Sequence, residues 1–67
     1  MAHQTVGKKH IDEREAATFL GLSVQTLRDW RLRRTGPAYC KFGGSVRYSV
    51  DSLARFAEQS RVEPVAA

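Results

Sequence analysis

The sequence has few of the residues that hold small secreted or metal-binding domains together. Its one cysteine, Cys40, cannot form an internal disulfide, which agrees with a protein that stays inside the cell. The two histidines, His3 and His10, do not combine with Cys40 at the spacing of a zinc finger. We therefore expect no bound metal and no cofactor.

Long apolar segments are also missing. The chain has no run of 18 apolar residues, and its first residues, MAHQTVGKKHIDE, lack the apolar stretch of a signal peptide. We expect a cytoplasmic protein with no membrane partner. A chain of 67 residues allows one small domain with little stability to spare for a strained active site. Because no nucleophile, general base and orienting group are suggested together, we expect no enzyme.

Basic residues exceed acidic residues, and they are concentrated in one region. The whole chain has 11 Lys and Arg against 7 Asp and Glu, a net charge of +4. Residues 24–48 alone carry five Arg and one Lys against one Asp, so this region is +5 and the remainder is −1. Arginines often only keep a helix face in water, but a nearly neutral remainder favours a polyanionic partner. Double-stranded DNA is the first candidate.

Two short helices joined by a tight turn are predicted between residues 12 and 33. Asp12 and Glu15 have the spacing of a capping box, which predicts that the first helix begins at about Glu13. Gly21 tolerates positive φ, and Ser23 can cap a second helix. The apolar face expected to contact the core consists of Ala16, Ala17, Phe19 and Leu20, with Ile11 before it and Leu22 after it.

The second helix is predicted from about Val24 to Leu32 or Arg33, before a Thr-Gly-Pro sequence that cannot continue it. Its buried stripe is expected to be Val24, Leu27 and Trp30. A core position for Trp30 is favoured over stacking on a base. The residues expected to face outward are Gln25, Arg28 and Asp29. Exposed Gln and Arg side chains on a helix can pair with adenine and guanine edges in the major groove.

A β-hairpin is predicted within residues 39–48, where β-forming residues flank Gly43 and Gly44. Two registers are possible. A two-residue turn at the glycines would place Cys40 opposite Arg47 and mix apolar and charged residues on one face.

The alternative is a three-residue connection that ends at Ser45. It pairs Phe42 with Val46, gives the hairpin one apolar face, and places Lys41 opposite Arg47. We favour this register for its apolar face. Two like charges side by side are either simply solvated or useful with a phosphate between them, and beside a candidate reading helix we favour the phosphate.

A last helix is predicted from Val50 to about Gln59, capped by Ser49 and closing the core. The expected organisation is a flexible arm (residues 1–9), one domain (residues 10–60) and a flexible tail (residues 61–67). All the aromatic side chains are expected in the core, which argues against a protein-binding surface with exposed aromatic anchors.

The segment from Ile11 to Phe56 resembles the small excisionase and AlpA-type DNA-binding proteins, whose winged helix-turn-helix is similar to the amino-terminal domain of MerR-type regulators. The residues that carry the resemblance read EAATFLGLS, TLRDW and GPAYCKFGGSVRYSVDSLARF. The fold class that it implies is mainly α with a small β-hairpin, in the order helix, helix, two-stranded wing, helix.

The resemblance implies a protein of phages or other mobile elements in a bacterial host cell, with its second helix in the major groove and its wing on the adjacent minor groove or backbone. Excisionases bind several adjacent sites cooperatively, bend DNA and direct an integrase towards excision, whereas AlpA-type proteins regulate transcription. The implied partners are DNA, an integrase and further copies of the chain. A protein-interaction module of a phage assembly or recombination complex is the alternative from another class.

The resemblance also assigns roles to residues of this sequence. The positions that would read bases or face the groove are Gln25, Thr26 and Arg28, and the wing positions that would hold phosphates are Lys41, Ser45 and Arg47. Three further arginines of the basic region complete the candidate DNA-binding set: Arg31, Arg33 and Arg34.

Overall fold

The computed structural model describes residues 9–64. The elements, in chain order, are β1 (His10–Ile11), α1 (Glu13–Leu20), α2 (Val24–Leu32), β2 (Cys40–Phe42), β3 (Ser45–Ser49) and α3 (Val50–Gln59). The predicted order of helix, helix, two-stranded wing and helix is confirmed, with one additional short strand before α1. The predicted flexible arm lies outside the described residues except for Lys9, and the end of the predicted tail, residues 65–67, also lies outside them.

Local capping signals set the bounds of α1 and α2. The Asp12 carboxylate accepts a hydrogen bond from the backbone N–H of Glu15 at 2.8 Å, and the Glu15 carboxylate accepts one from the N–H of Asp12 at 3.1 Å. This is the predicted capping box. Gly21 closes α1 with φ 71°, and the Ser23 hydroxyl accepts from the N–H of Thr26 at 3.1 Å to start α2. The chain therefore turns sharply between the two helices.

The strands form one antiparallel sheet in the order β1-β3-β2. In the short strand β1, His10 pairs with Ser49 and Ile11 pairs with Tyr48. The backbone N–H of Val50 donates to the carbonyl of Lys9 at 2.9 Å and extends this contact. Strand β1 was not predicted because two residues carry no periodicity.

The favoured hairpin register is wrong, and the two-residue turn is correct. Cys40 lies opposite Arg47, Lys41 opposite Val46, and Phe42 opposite Ser45. The turn decides the register: Gly43 has φ 62°, and a positive φ at the first central residue of a two-residue loop matches the twist of the flanking strands.

The corrected register separates the two cations of the wing. Since cross-strand partners share a face and neighbours along a strand alternate, Lys41 lies on the face of Val46 and Arg47 on the opposite face. A single phosphate held between Lys41 and Arg47 by direct cross-strand pairing is therefore excluded. The predicted apolar face of the hairpin is also wrong, because Phe42 shares a face with Ser45.

The core is small and draws on every helix. Its buried residues are Ile11, Ala16, Ala17, Leu27, Tyr48 and Leu53. Trp30 packs against this cluster, and its ring centroid lies 5.5 Å from that of Phe56, which confirms the predicted core position. Gly36 allows the following loop to approach the indole, because a Cβ there would lie 2.6 Å from the Trp30 ring.

Not every predicted core residue is buried. Phe19 is 47% exposed, and Tyr39 and Phe42 are 44% and 56% exposed, so the expectation that all aromatic side chains belong to the core is wrong. On α1, the buried Ala16 and Ala17 define the inner face, and Phe19 lies at its edge because of the 100° rotation per residue. Leu22 is likewise exposed.

Candidate nucleic-acid interface

The outward face of α2 presents Gln25 and Arg28 to solvent, as predicted. The two positions are three residues apart and therefore lie on one side of the helix. The amide nitrogen of Gln25 donates to the carboxylate of Asp29 at 3.0 Å, within the helix. Thr26 is half-buried, and its hydroxyl lies 2.9 Å from the hydroxyl of Ser23 at the helix start.

Arg28 makes a two-pronged contact with Glu13, the first residue of α1. Its Nη2 lies 2.6 Å from Glu13 Oε2, and its Nε donates to the same carboxylate at 3.2 and 3.3 Å. The Arg28 side chain nevertheless remains 53% exposed. Sequence reasoning missed Glu13, because its contact with Arg28 spans 15 positions and local spacing indicates only an acidic residue at a helix start.

Arg31 is held inside the domain. Its Nη1 donates to the hydroxyl of Tyr48 at 2.8 Å, and its Nη2 donates to Glu13 at 3.1 Å. The guanidinium carbon also lies 5.7 Å from the ring centre of Tyr39. With its side chain only 18% exposed, Arg31 joins α2 to α1 and to the sheet. These contacts are those of a structural residue.

The two arginines change the protonation of Glu13. Hydrogen bonds from Arg28 lower the pKa of the Glu13 carboxyl, partial burial opposes this, and Arg31 adds to the lowering, so that the pKa falls to about 2. The contact with Glu13 raises the pKa of Arg28 further above its ordinary value. The three side chains therefore stay charged at neutral pH, with a net charge of +1.

An open cleft of about 480 Å³ runs between the start of α1, α2 and the turn of the wing. Four residues of the predicted DNA-binding set line it: Arg28, Arg31, Ser45 and Arg47. Arg14 also lines the cleft and was not predicted, although it is an exposed cation on α1. Four arginines and two acidic residues, Asp12 and Glu13, line the cleft, so positive charge predominates there.

The cleft follows one edge of β3. Among the described residues, β1 pairs only with Tyr48 and Ser49, so the stretch from Ser45 to Arg47 has a strand neighbour on one side alone. The Arg47 guanidinium folds back and donates to the carbonyl of Val46 at 2.8 Å. The wing therefore brings to the cleft the backbone edge of residues 45–47 that no described strand pairs with, together with the charged side chain of Arg47.

The other predicted residues lie away from this cleft. Arg33 and Arg34 are exposed at the carboxyl end of α2, where Arg34 has φ 58° and ends the helical path. Arg34 borders a second opening together with Tyr39. Lys41 is exposed on β2 and does not line the cleft. The structure thus divides the predicted set into the four residues that line the cleft and five that do not. The five are Gln25, Thr26, Arg33, Arg34 and Lys41.

Two negative findings concern residues 9–64 only. Within this part of the chain, no group of three or more His, Cys, Asp or Glu side chains is placed to hold a metal ion. No helix in the same part has the length and apolar character needed to cross a membrane.

The fold and the exposed face of α2 define a winged helix-turn-helix domain, a class that binds double-stranded DNA with its second helix in the major groove. The chain belongs to a family described as "Helix-turn-helix domain", whose model matches residues 12–61. No curated protein matches the chain. Family membership identifies the protein as a sequence-specific DNA-binding protein.

Proposed function

We propose that α2 enters the major groove and reads bases with Gln25 and Arg28, while the wing contacts the neighbouring backbone. The observation that carries this proposal is the exposure of both side chains on one face of the second helix of a helix-turn-helix. Gln pairs well with adenine and Arg with guanine in the major groove. The nine residues of α2 span about 14 Å, comparable with the ~12 Å width of that groove.

The remaining candidate residues divide by the kind of contact they can make. Thr26 lies at the start of α2, where its hydroxyl can meet a base edge or a phosphate, whereas its backbone N–H already donates to Ser23. Residues that would contact phosphates without reading sequence are Arg33, Arg34, Lys41, Ser45 and Arg47. Because Arg31 already binds Tyr48 and Glu13, its proposed role is to hold α2 against the sheet and not to contact DNA.

We further propose that the protein is an excisionase, which binds repeated sites, bends DNA and directs an integrase towards excision. The support is the resemblance over residues 11–56 together with the small reading surface. A helix of about 14 Å faces about four base pairs at 3.4 Å each, so useful specificity requires several copies on adjacent sites. Such a protein acts in the cytoplasm by binding and not by catalysis.

A selection experiment tests the DNA-binding proposal. The protein is incubated with a pool of randomised duplexes at physiological salt, and the bound duplexes are sequenced over several rounds. We expect enrichment of a short motif that contains adenine and guanine, and tighter binding when two copies of the motif lie side by side. Equal retention of all sequences would show that α2 does not read bases.

A second assay separates recombination from transcription. An integrated element is placed in a host with its integrase, and excision is measured by a junction-specific amplification with and without the protein. An excisionase raises the yield of the excised circle. A change in transcription from a promoter carrying the motif, with no change in excision, would instead assign the AlpA-type role.

A protein-interaction module is favoured by one observation, the exposure of Phe19, Tyr39 and Phe42. Two of these rings already contact neighbours: Tyr39 lies 6.0 Å from Tyr48, and Phe42 lies 5.6 Å from His10. Each therefore offers only part of its surface to a partner, and DNA remains the better-supported target.

A further inference from the structure

We propose that Glu13 is a positioning residue that fixes the Arg28 guanidinium for recognition of guanine. This inference rests on the proposed reading role of α2. Glu13 does not contact DNA in this scheme. It acts through Arg28, and it determines how strongly the protein discriminates between sequences.

The first support is the edge of Arg28 that Glu13 occupies. An arginine has one N–H on Nε and two on each terminal nitrogen. Glu13 takes the Nε and Nη2 side of the group. Both hydrogens of Nη1 and one of Nη2 stay available, and these form the end of the fork, which can pair with O6 and N7 of guanine. The contact therefore leaves a guanine-binding edge free.

The second support is that Glu13 is itself fixed from the core. Tyr48 is 1% exposed, and its hydroxyl accepts from Arg31, which also donates to Glu13. The contacts thus run from Tyr48 through Arg31 and Glu13 to Arg28. An exposed arginine alone loses much rotamer freedom when it binds a base, and this series of contacts restricts that freedom before DNA arrives. Preorganisation of this kind favours the one base that fits.

Glu13 also has an electrostatic effect that is separate from its positioning of Arg28. Glu13 lines the same cleft as Arg14 and Arg47, and a carboxylate there repels phosphates. This repulsion weakens binding to any sequence, whereas the orientation of Arg28 strengthens binding to the correct one. Because the repulsion acts on every sequence alike, it leaves the ratio of specific to non-specific affinity unchanged, and only the orientation of Arg28 raises that ratio.

The test compares Glu13→Gln and Glu13→Asp with the control Glu58→Gln. Glu58→Gln removes the same charge from α3, where Glu58 pairs with Arg61. Glu13→Asp keeps the charge and shortens the side chain, and aspartate is well tolerated at a helix start. Circular dichroism establishes that each variant is folded. Fluorescence anisotropy then gives Kd for the motif that the wild-type protein selects, for single-base variants of that motif, and for an unrelated duplex.

We expect both Glu13 variants to reduce the ratio of specific to unrelated affinity by about fivefold or more, a part of what one paired arginine–guanine contact supplies. The loss of discrimination should affect the same guanine position at which Arg28→Ala loses discrimination. Glu58→Gln should leave the ratio unchanged. An unchanged ratio in both Glu13 variants overturns the inference. Equal tightening of all duplexes by Glu13→Gln, with no effect of Glu13→Asp, also overturns it, because Glu13 would then only repel phosphates.

The same data separate this inference from the proposal on which it rests. If the wild-type protein selects no motif, the reading role of α2 fails and the role of Glu13 fails with it. If the wild-type protein selects a motif and the Glu13 variants discriminate as well as the wild type, only the role of Glu13 fails.

Discussion

At the scale of single residues, Glu13 links the two helices of the helix-turn-helix. Glu13 accepts hydrogen bonds from both Arg28 and Arg31, and Arg31 also binds the buried Tyr48. The carboxylate therefore connects α2 to α1 and, through Arg31, to the sheet. The partners lie 15 and 18 positions away from Glu13, which explains why the sequence alone did not predict this group.

The lowered pKa of Glu13 predicts how stability depends on pH. The folded-state pKa of about 2 lies below the ordinary value of 4.5, so ionised Glu13 stabilises the fold fully above about pH 4.5. This contribution, on the order of 1 kcal/mol after solvent screening, is lost as pH falls from 4.5 towards 2. The free energy of unfolding of the wild type should exceed that of Glu13→Gln at pH 7, and the difference should shrink across this range.

Urea unfolding followed by circular dichroism at several pH values measures this difference. Glu58→Gln, which removes a carboxylate from an exposed ion pair, is the matched control and should have little effect at pH 7. A difference between the wild type and Glu13→Gln that stays constant from pH 7 to pH 2 would contradict the account.

Arg28 and Arg47 are predicted to make different kinds of contact. Arg28→Ala should weaken binding to the selected motif by about 5- to 150-fold, because a paired contact with guanine is lost, and should affect unrelated duplexes far less. Arg47→Ala should weaken binding to all duplexes alike and reduce the slope of log K against log salt by about one. Anisotropy titrations at several salt concentrations measure both quantities. Equal effects of the two substitutions on both kinds of duplex would refute this distinction.

The elements of the fold differ in how well the sequence predicts them. The bounds of α1, α2 and α3 follow from local signals, such as the Asp12–Glu15 capping box and the cap residues Ser23 and Ser49, and the structure confirms them. The sequence predicts the hairpin but not its register, because apolar alternation favours a three-residue connection whereas the turn at Gly43 selects a two-residue one. Strand β1 and the contacts of Glu13 depend on residues far apart in sequence, where local patterns carry no information.

The hairpin register can be tested at its two glycines. Gly43 has φ 62°, whereas Gly44 is not among the residues with positive φ, and a Cβ at either would meet no described atom within 4 Å. Gly43→Ala should destabilise the fold by about 1 kcal/mol from backbone strain alone, and Gly44→Ala should have little effect. Thermal unfolding of the two variants measures the difference. Equal losses at both positions would contradict a two-residue turn with its left-handed residue first.

At the scale of the whole molecule, a core of six buried residues supports one surface on which α2 and the wing converge. The sequence predicted four of the nine residues that line the cleft on this surface, among them Arg28 and Arg47, because their chemistry and position along α2 and the wing are local properties. It could not predict that Arg31 is held inside the domain, since this depends on Tyr48, 17 positions away. The family supports DNA binding by the protein, and the assignment of that role to this surface is our proposal.

Methylation interference at guanine N7 tests the central claim most directly, because that atom lies in the major groove. Duplexes carrying the selected motif are partially methylated at N7, and the bound and free fractions are compared for the wild type and for Arg28→Ala. We predict that methylation of one guanine excludes a duplex from the wild-type complex, and that Arg28→Ala abolishes this exclusion. The claim would be contradicted if N7 methylation changed nothing, or if the folded protein formed no complex with any duplex at micromolar concentration and low salt.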